Sequence, residues 1–437
     1  MLRRPEPIRA RVHGEMTTVP NIPDSPTVLP NEAWESVENL AHQTLHAYSS
    51  YCLSHNLPIN QRVALDIAMS GRLQRQKGQT VVGDIRFVLL EGPCCNGVPN
   101  CMLFWPSKTS ENWSARSSQE VTDLRTDRVL IARLKQLAGQ EGTLALLTGN
   151  DQETHEPKAH QELIAIAQQE GLEIFHICGE RPPQVQDGHI WVQGHSIDLV
   201  YRCIERQEFP RLFGHELTHK MLHETPKTVW FNPPSTDDMR SKTMAEIVWR
   251  EWESTTNQRI SRPQTLIGHE ITVEHINQFW MNGGFLVKAN DTSGGKGVRF
   301  VMNPETLQPV ADSLYKGLHP TQQESLQPEK LTAYIESLDK QNCIVQELRI
   351  LDARPAGQAN LIYDIRMYGL YQGHEKAWTL IPGMSRFNQH CLSTNISQKA
   401  GVTALLCPRH TKNLPLTPLG LLTETWLAKR EYWLPSP

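Results

Sequence analysis

A glycine-rich segment with two lysines is the plainest phosphate-holding feature of the chain. In GGFLVKANDTSGGKGVRFV (283–301), Lys288 closes one apolar run, and Ser293, Gly294, Gly295, Lys296 and Gly297 lead into a second. The implied geometry is strand, turn, strand. Glycines permit positive φ and close backbone approach, so successive N–H groups can line a concavity for phosphate oxygens while the ammonium groups add charge. Two well-known phosphate loops do not fit. Asn290 stands where the P-loop pattern needs its first Gly and Gly297 where it needs Ser or Thr, and Phe300 takes the last Gly position of the dinucleotide fingerprint. Taken alone, such a hairpin is most often a plain turn, so its meaning depends on the segments around it.

A different chemistry is written at 215–219, His-Glu-Leu-Thr-His. On a helix, His215 and His219 share a face that can bind zinc, with Glu216 as base. A peptidase of this kind needs a further ligand, and Glu246 in MAEIV is the nearest acid in a helical pattern. Among 18 His a chance match is not rare. The surrounding chain does not look like a protease, so the motif reads as a helix packed on an α/β layer. Cys94, Cys95 and Cys101 form the one Cys cluster but lack a second knuckle, and nine Cys at irregular spacing fit reduced thiols better than disulfides.

The elements that must position these residues can be read from periodicity. Residues 1–31 are rich in Pro and read as a mostly unstructured arm. Apolar residues from Trp34 to about Arg75 recur at roughly helical spacing with a break at Pro58, and 84–91 reads as a strand. The run TLALLT, a helical stretch at 155–170 and EIFHIC make a βαβ unit. Strands are expected at 189–193, 197–203 and 228–231, with a helix around 211–224, so an open α/β layer is implied, in which ligands meet the carboxyl ends of strands. A helix from Ser241 to Glu253 and a boundary near 255–265 follow.

In this order the segments resemble the ATP-grasp superfamily. VKANDTSGGKGV resembles its strand ending in Lys before a Gly-rich loop, and IVQELRI the interlobe strand leading to the adenine hinge. DIRMYGLY resembles its Asp-x-Arg strand, PGMSRFNQHCLSTNISQKAG the Arg strand and Asn-bearing loop, and MRSKTMAEIVWREW the segment supplying another nucleotide-contacting lysine. The acidic and Glu-x-Asn metal ligands that many members carry after the Asn-bearing loop are missing. IDLVYRCIE and VWFNPP resemble instead the metal-bearing strands of circularly permuted members, the group related to glutathionylspermidine synthase.

The resemblance implies an α/β fold with α+β lobes. Its parts would be an arm (1–31), an N-terminal helical or mixed region (32–140), an open α/β pre-ATP-grasp domain (141–260), a small lobe (261–345) and a large lobe (346–437). It implies an ADP-forming carboxylate–amine ligase acting through an acyl phosphate. ATP would lie on Lys242, Lys288, the Ser293–Gly297 segment and Gln346, Glu347 and Leu348. Magnesium, or manganese, would be held among Asp198, Glu205, Asn232 and Asp364, and Arg366, Arg386 and Asn395 would serve the reacting groups. Substrates would be small carboxylates and amines, of the amino-acid or short-peptide class. The alternatives are a nucleotide-binding protein without ligation and the zinc peptidase above.

Composition narrows the partners. With 437 residues, 39% apolar content and 11 Trp, two or three packed units are expected. A formal charge of -4 with scattered Lys and Arg leaves no footprint for nucleic acid. The basic N-terminus is followed by no apolar stretch, and no run of 18 apolar residues occurs, so neither a secretory signal nor a membrane span is expected, and the cytoplasm is the default.

Overall fold

The structure is a computed structural model that describes residues 9–12, 15–18, 27–28, 31–76, 79–94, 126–139, 141–149, 157–290, 292, 297–303, 323–351, 353–356, 359–373, 378–388 and 401–406. Three short strands lie within the expected arm: β1 (Arg9–Val12), β2 (Glu15–Thr18) and β3 (Thr27–Val28). Helix α1 (Asn31–Ser54) comes next, then the long hairpin of β4 (Arg62–Gln76) and β5 (Gln79–Cys94). The helical pattern expected up to Arg75 therefore ends about twenty residues early. Val63, Leu65 and Ile67 are fully buried and alternate with Arg62, Ala64 and Asp66, a period of two that places the apolar set on one sheet face.

The α/β layer forms as expected. After α2 (Thr126–Ala138) come β6 (Thr143–Leu147), α3 (Pro157–Gln169) and β7 (Glu173–Ile177). A small antiparallel sheet of β8 (Gln184–Gln186), β9 (His189–Val192) and β10 (His195–Ile197) precedes β11 (Leu199–Arg202), α4 (Phe209–His223), β12 (Val229–Phe231) and α5 (Lys242–Thr256). The order β12-β11-β6-β7 is parallel throughout, so the chain leaves β6 first to one side and then to the other. This puts a topological switch point between β6 and β11.

Arg202, fully buried at the carboxyl end of β11, ties that edge together. Its Nε donates to the Asn232 carbonyl at 2.7 Å and its Nη1 to Ile204 O at 2.8 Å, while its fork grips Asp237 at 2.6 and 3.0 Å.

A five-stranded sheet follows, built from β13 (Thr265–Ile267), β14 (Gly284–Ala289), β15 (Val298–Met302), β16 (Gln323–Ser325) and β17 (Cys343–Glu347) in the order β13-β17-β14-β15-β16. Helices α6 (Val273–Met281) and α7 (Leu331–Glu336) cover one face, where Phe285, Val287, Val301 and Val345 pack with Ile276 and Ile335. Alternation turns Leu286, Lys288, Ile344 and Gln346 to the other face. The boundary expected after residue 345 falls inside β17.

The last strands are β18 (Arg349–Leu351), β19 (Ala353–Ala356), β20 (Ala359–Tyr371), β21 (Trp378–Asn388) and β22 (Gly401–Leu406). The eight-stranded sheet runs β18-β4-β20-β21-β22-β3, with β5 on β4 and β19 on β20. The N-terminal hairpin thus lies inside the same sheet as the C-terminal strands. One face buries Ile67, Ile365 and Met367 under α1 and α5, and the other packs Tyr368, Leu370 and Ile381 on the α/β layer. Gly383 is the extra residue of a bulge, since Arg366 pairs with Met384 but Met367 with Pro382. A Cβ at Gly383 would lie 2.5 Å from the Arg366 carbonyl oxygen and 2.6 Å from the Tyr368 ring. We expect Gly383→Ala to lower unfolding free energy in urea by about 1–3 kcal/mol, and an unchanged midpoint would show that the bulge relaxes freely.

Candidate active site

Four charges meet where the face carrying Tyr368 and Leu370 runs past its apolar part. Asp364 and Arg366 sit two apart on β20 and therefore share a side, Asp66 of β4 pairs with Arg366, and Arg386 of β21 pairs with Asp364. Arg366 grips Asp66 with two bonds, Nε to Oδ1 at 2.6 Å and Nη2 to Oδ2 at 2.7 Å. Arg386 Nε donates to Asp364 Oδ1 at 2.8 Å, and its Nη2 bonds Asp364 Oδ2 and lies 2.8 Å from Asp66 Oδ2. Asp66, from the other end of the chain, orients Arg366.

This quartet is nearly dry, with Asp66 2%, Asp364 1% and Arg386 7% exposed. Burial alone would raise the Asp66 carboxyl, but Arg366 and Arg386 hold it down at about 2. Burial opposes the Arg386 charge, yet Asp364 and Asp66 push its pKa up. Two carboxylates thus face two guanidinium groups as a balanced set, which is what buried charge requires.

The segment expected to form the hinge lies where the two sheets meet. Gln346 and Glu347 end β17 of the five-stranded sheet, Leu348 is buried, and Arg349 begins β18, which pairs with β4 of the large sheet. Glu347 accepts from Gln264 N–H at 3.0 Å, is ion-paired with Arg72 and lies 3.3 Å from Arg349 Nη1. Arg349 in turn bonds Ser70 Oγ at 2.9 Å and Asp84 Oδ2 at 3.1 Å. These ties cross from one sheet to the other. Gln346 Nε2 donates to Thr265 Oγ1 at 3.0 Å.

Lys242 opens α5 and reaches the end of β14. Its ammonium donates to the carbonyls of Ala289 at 2.9 Å and Thr292 at 2.8 Å and lies 3.9 Å from Glu91 Oε1. Glu91 is on β5 and pairs with Asp66, so the lysine bridges the glycine-rich segment to the strand beside the quartet. Lys288 lies one residue before Ala289, on the face opposite the small core. Of the segment itself, Gly297 is described with φ +69°, whereas Ser293, Gly294, Gly295, Lys296 and, further on, Asn395 lie outside the described residues.

The expected metal ligands are not brought together. Asp198 lies before β11, at the amino edge of the parallel sheet, where its Oδ2 accepts from Thr143 N–H at 2.8 Å and Thr143 Oγ1 at 3.0 Å. Glu205 is beyond the opposite edge, ion-paired with Arg240 and capping the next turn. Asn232 is buried, and its Oδ1 accepts from Arg62 N–H at 2.9 Å. Arg62 pairs with Leu370, six residues along β20 from Asp364, which separates Asn232 from Asp364 by about 20 Å at ~3.3 Å per residue. Asp198 and Asn232 are thus short polar side chains at strand ends that accept from neighbouring backbone groups.

The His-Glu-Leu-Thr-His segment is on α4, as expected. Gly214, at φ 74° and ψ 166°, kinks the helix just before it. Glu216 bonds Lys220 at 2.7 Å one turn on, His219 contacts the His223 ring at 4.8 Å, and Glu246 is buried against Arg250 and Arg262. Among the described residues, no group of three or more His, Cys, Asp or Glu is placed to hold a metal ion.

Asp66, Glu91, Arg72 and Arg349 were not singled out in the sequence. Asp66 carried a usable signal: in RVALDIAMS the large apolar residues Val63, Leu65, Ile67 and Met69 alternate with small or polar ones, so an acid among the latter marks a strand face that must find a cation. Glu91 carried none.

No protein-family model matches the sequence, and no curated protein matches it. Among solved structures, a glutathione synthetase-like effector, GSS30, from Globodera pallida in its apo form matches with TM-score 0.52 and 11% identity, covering 91% of this chain and 92% of that one. The chain therefore has a mixed α/β fold similar to that of a glutathione synthetase-like protein, consistent with an ATP-grasp-type α+β arrangement. No described helix is long and apolar enough to cross a membrane.

The Asp66 carboxyl titrates lower in the folded chain than the unfolded value of ~3.9, so its stabilisation is complete above about pH 4 and is lost as pH falls through about 2. Urea midpoints measured between these limits are expected to fall, and the fall should be smaller in Asp66→Asn. Equal slopes would separate the acid sensitivity from Asp66.

Proposed function

We propose that the chain is an ATP-dependent, ADP-forming ligase that joins a carboxylate to an amine, of the amino-acid or short-peptide class. The observation that carries this reading is that Lys242 joins the end of β14 to Glu91, whose backbone pairs with that of Asp66 in the Asp66–Arg366–Arg386–Asp364 quartet. A cationic segment for phosphates thus adjoins fixed guanidinium groups. The fold shared with a glutathione synthetase-like protein supports the same class. We further read the chain as a circularly permuted member, because β4 and β5 pair within the sheet that holds β20 to β22.

In this reading ATP lies on the Lys288 face of the five-stranded sheet, with its base toward Gln346–Leu348 and its phosphates toward Lys242 and Lys288. Glu91 suits a magnesium or manganese ion better than the upstream acids do. Its side chain is 41% exposed beside Lys242, and one carboxylate with phosphate and water oxygens is a sufficient donor set. The ion would neutralise phosphate charge. The substrate carboxylate attacks the γ-phosphorus, ADP leaves, and the amine displaces phosphate from the acyl phosphate.

Asp66 and Asp364 hold Arg366 and Arg386 in fixed orientation, so these polar groups need no rearrangement when the reacting oxygens arrive. The β6–β11 switch point offers the substrate crevice. Thr148 lies there, 2.7 Å from His176 Nε2, beside Cys203, whose N–H donates to Leu147 O at 2.8 Å.

Nucleotide binding without ligation is the second reading, favoured by one observation: Arg366 and Arg386 each already bind a carboxylate through Nε and Nη2.

Incubation with ATP, magnesium and pooled amino acids should yield ADP and a condensed product seen by mass. Lys288→Ala should lower the rate about 100-fold or more, as should Arg366→Lys, which keeps a charge beside Asp66 but loses the fork. Wild-type rates in both variants would sink the ligase assignment. ATP binding with no product from any pool would favour the second reading.

A further inference from the structure

The first turn of α5 and the end of β14 are joined by side chains that nucleotide contact does not require. Thr243 Oγ1 donates to Asn290 Oδ1 at 2.8 Å, and Asn290 Nδ2 donates to the Gln341 carbonyl at 3.0 Å. The Asn290 N–H donates to Asn342 O at 2.9 Å. Asn290 is 7% exposed, so one buried amide links the start of α5, the end of β14 and the turn that enters β17.

Beside it, the carbonyls of Ala289, Thr292 and, at 3.4 Å, Asn290 itself surround the Lys242 ammonium. The far end is closed as well. Ala289 N–H donates to Gly297 O at 3.1 Å, and a Cβ on Gly297 would lie 2.9 Å from the Ala289 Cβ. Helix α5 is in turn fastened to the five-stranded sheet, since Arg250 donates to Thr265 O at 2.8 Å and pairs with Glu270.

We propose that Asn290 is a positioning residue that, with Thr243 and Lys242, clips the root of the glycine-rich segment in place before nucleotide arrives. This rests on the nucleotide-binding reading above. Each bond is ordinary, but together they fasten the first end of the segment to α5 and join its second end to the first through Ala289 and Gly297. A site whose root is already ordered does not lose that ordering entropy on binding, so the clip acts on affinity rather than on the chemical step.

Thr243→Val tests this, because it keeps the shape and removes the hydroxyl. Amide hydrogen exchange at Ala289 and Asn290 is followed in nucleotide-free full-length protein, and the Mg-ATP dissociation constant is followed by calorimetry. Both are expected to rise about two- to tenfold, the span one buried hydrogen bond supports, with kcat unchanged. Thr243→Ser should restore both.

Unchanged exchange in Thr243→Val overturns the clip. So does faster exchange with unaltered ATP affinity, or a fall in kcat alone. If wild-type protein binds no ATP, the nucleotide reading fails and the purpose assigned to the clip fails with it, while the exchange comparison still decides whether Asn290 holds the root.

Discussion

The pair between Asp66 and Arg366 joins residues 300 positions apart, and most of the architecture depends on it. A buried carboxylate in this setting is tolerable only with cations and hydrogen bonds around it. Asp66 has two, Arg366 and Arg386, and Asp364 completes the set. The N-terminal hairpin must therefore lie in register against β20, or Asp66 loses both of its cations and Arg366 and Arg386 each lose a carboxylate. Register and electrostatics enforce each other here, since a one-residue slip of β4 would turn Asp66 into the apolar face under α1.

From that fixed point the rest is placed by continuity. The face that carries the quartet becomes apolar toward Tyr368 and Leu370, where the α/β layer seats itself. In the other direction the chain enters β18 through Leu348, and the Glu347–Arg72–Arg349 ties set the five-stranded sheet against the large one. Helix α5 spans the junction, with Lys242 at β14 and Arg250 at Thr265 of the five-stranded sheet, and Val248 and Trp249 in the core under the large one. The junction is thus assembled from three stretches of chain, with none sufficient alone.

The two basic motifs have different standing for a physical reason. The glycine-rich segment is bounded by strands whose pairing leaves Lys288 on the face away from the small core, and its root is bonded to a second lysine. The His-Glu-Leu-Thr-His helix has its Glu216 in an exposed pair with Lys220, and the acid that might have completed it is locked in the interior. Spacing along a helix defines a face. It does not supply the third group that chemistry needs from elsewhere.

Local pattern determined much of this protein. The βαβ unit, the strand before Lys288, α5 and the hinge strand follow from apolar period and from Gly and Asn breaks, because short-range sterics and burial act within a few residues. Arg366, Arg386 and Asp364 were legible through the resemblance of their segments to ATP-grasp strands. What they bind was not. Only the tertiary structure decided that Asp66 and Glu91 belong with them, that Arg62–Gln76 is a central strand, and that Asp198 lies at the edge of the parallel sheet opposite Glu205 and Asn232. Partners across a sheet are chosen by long-range pairing, and nothing within a few residues of Asp66 specifies which arginine, hundreds of positions later, will lie beside it.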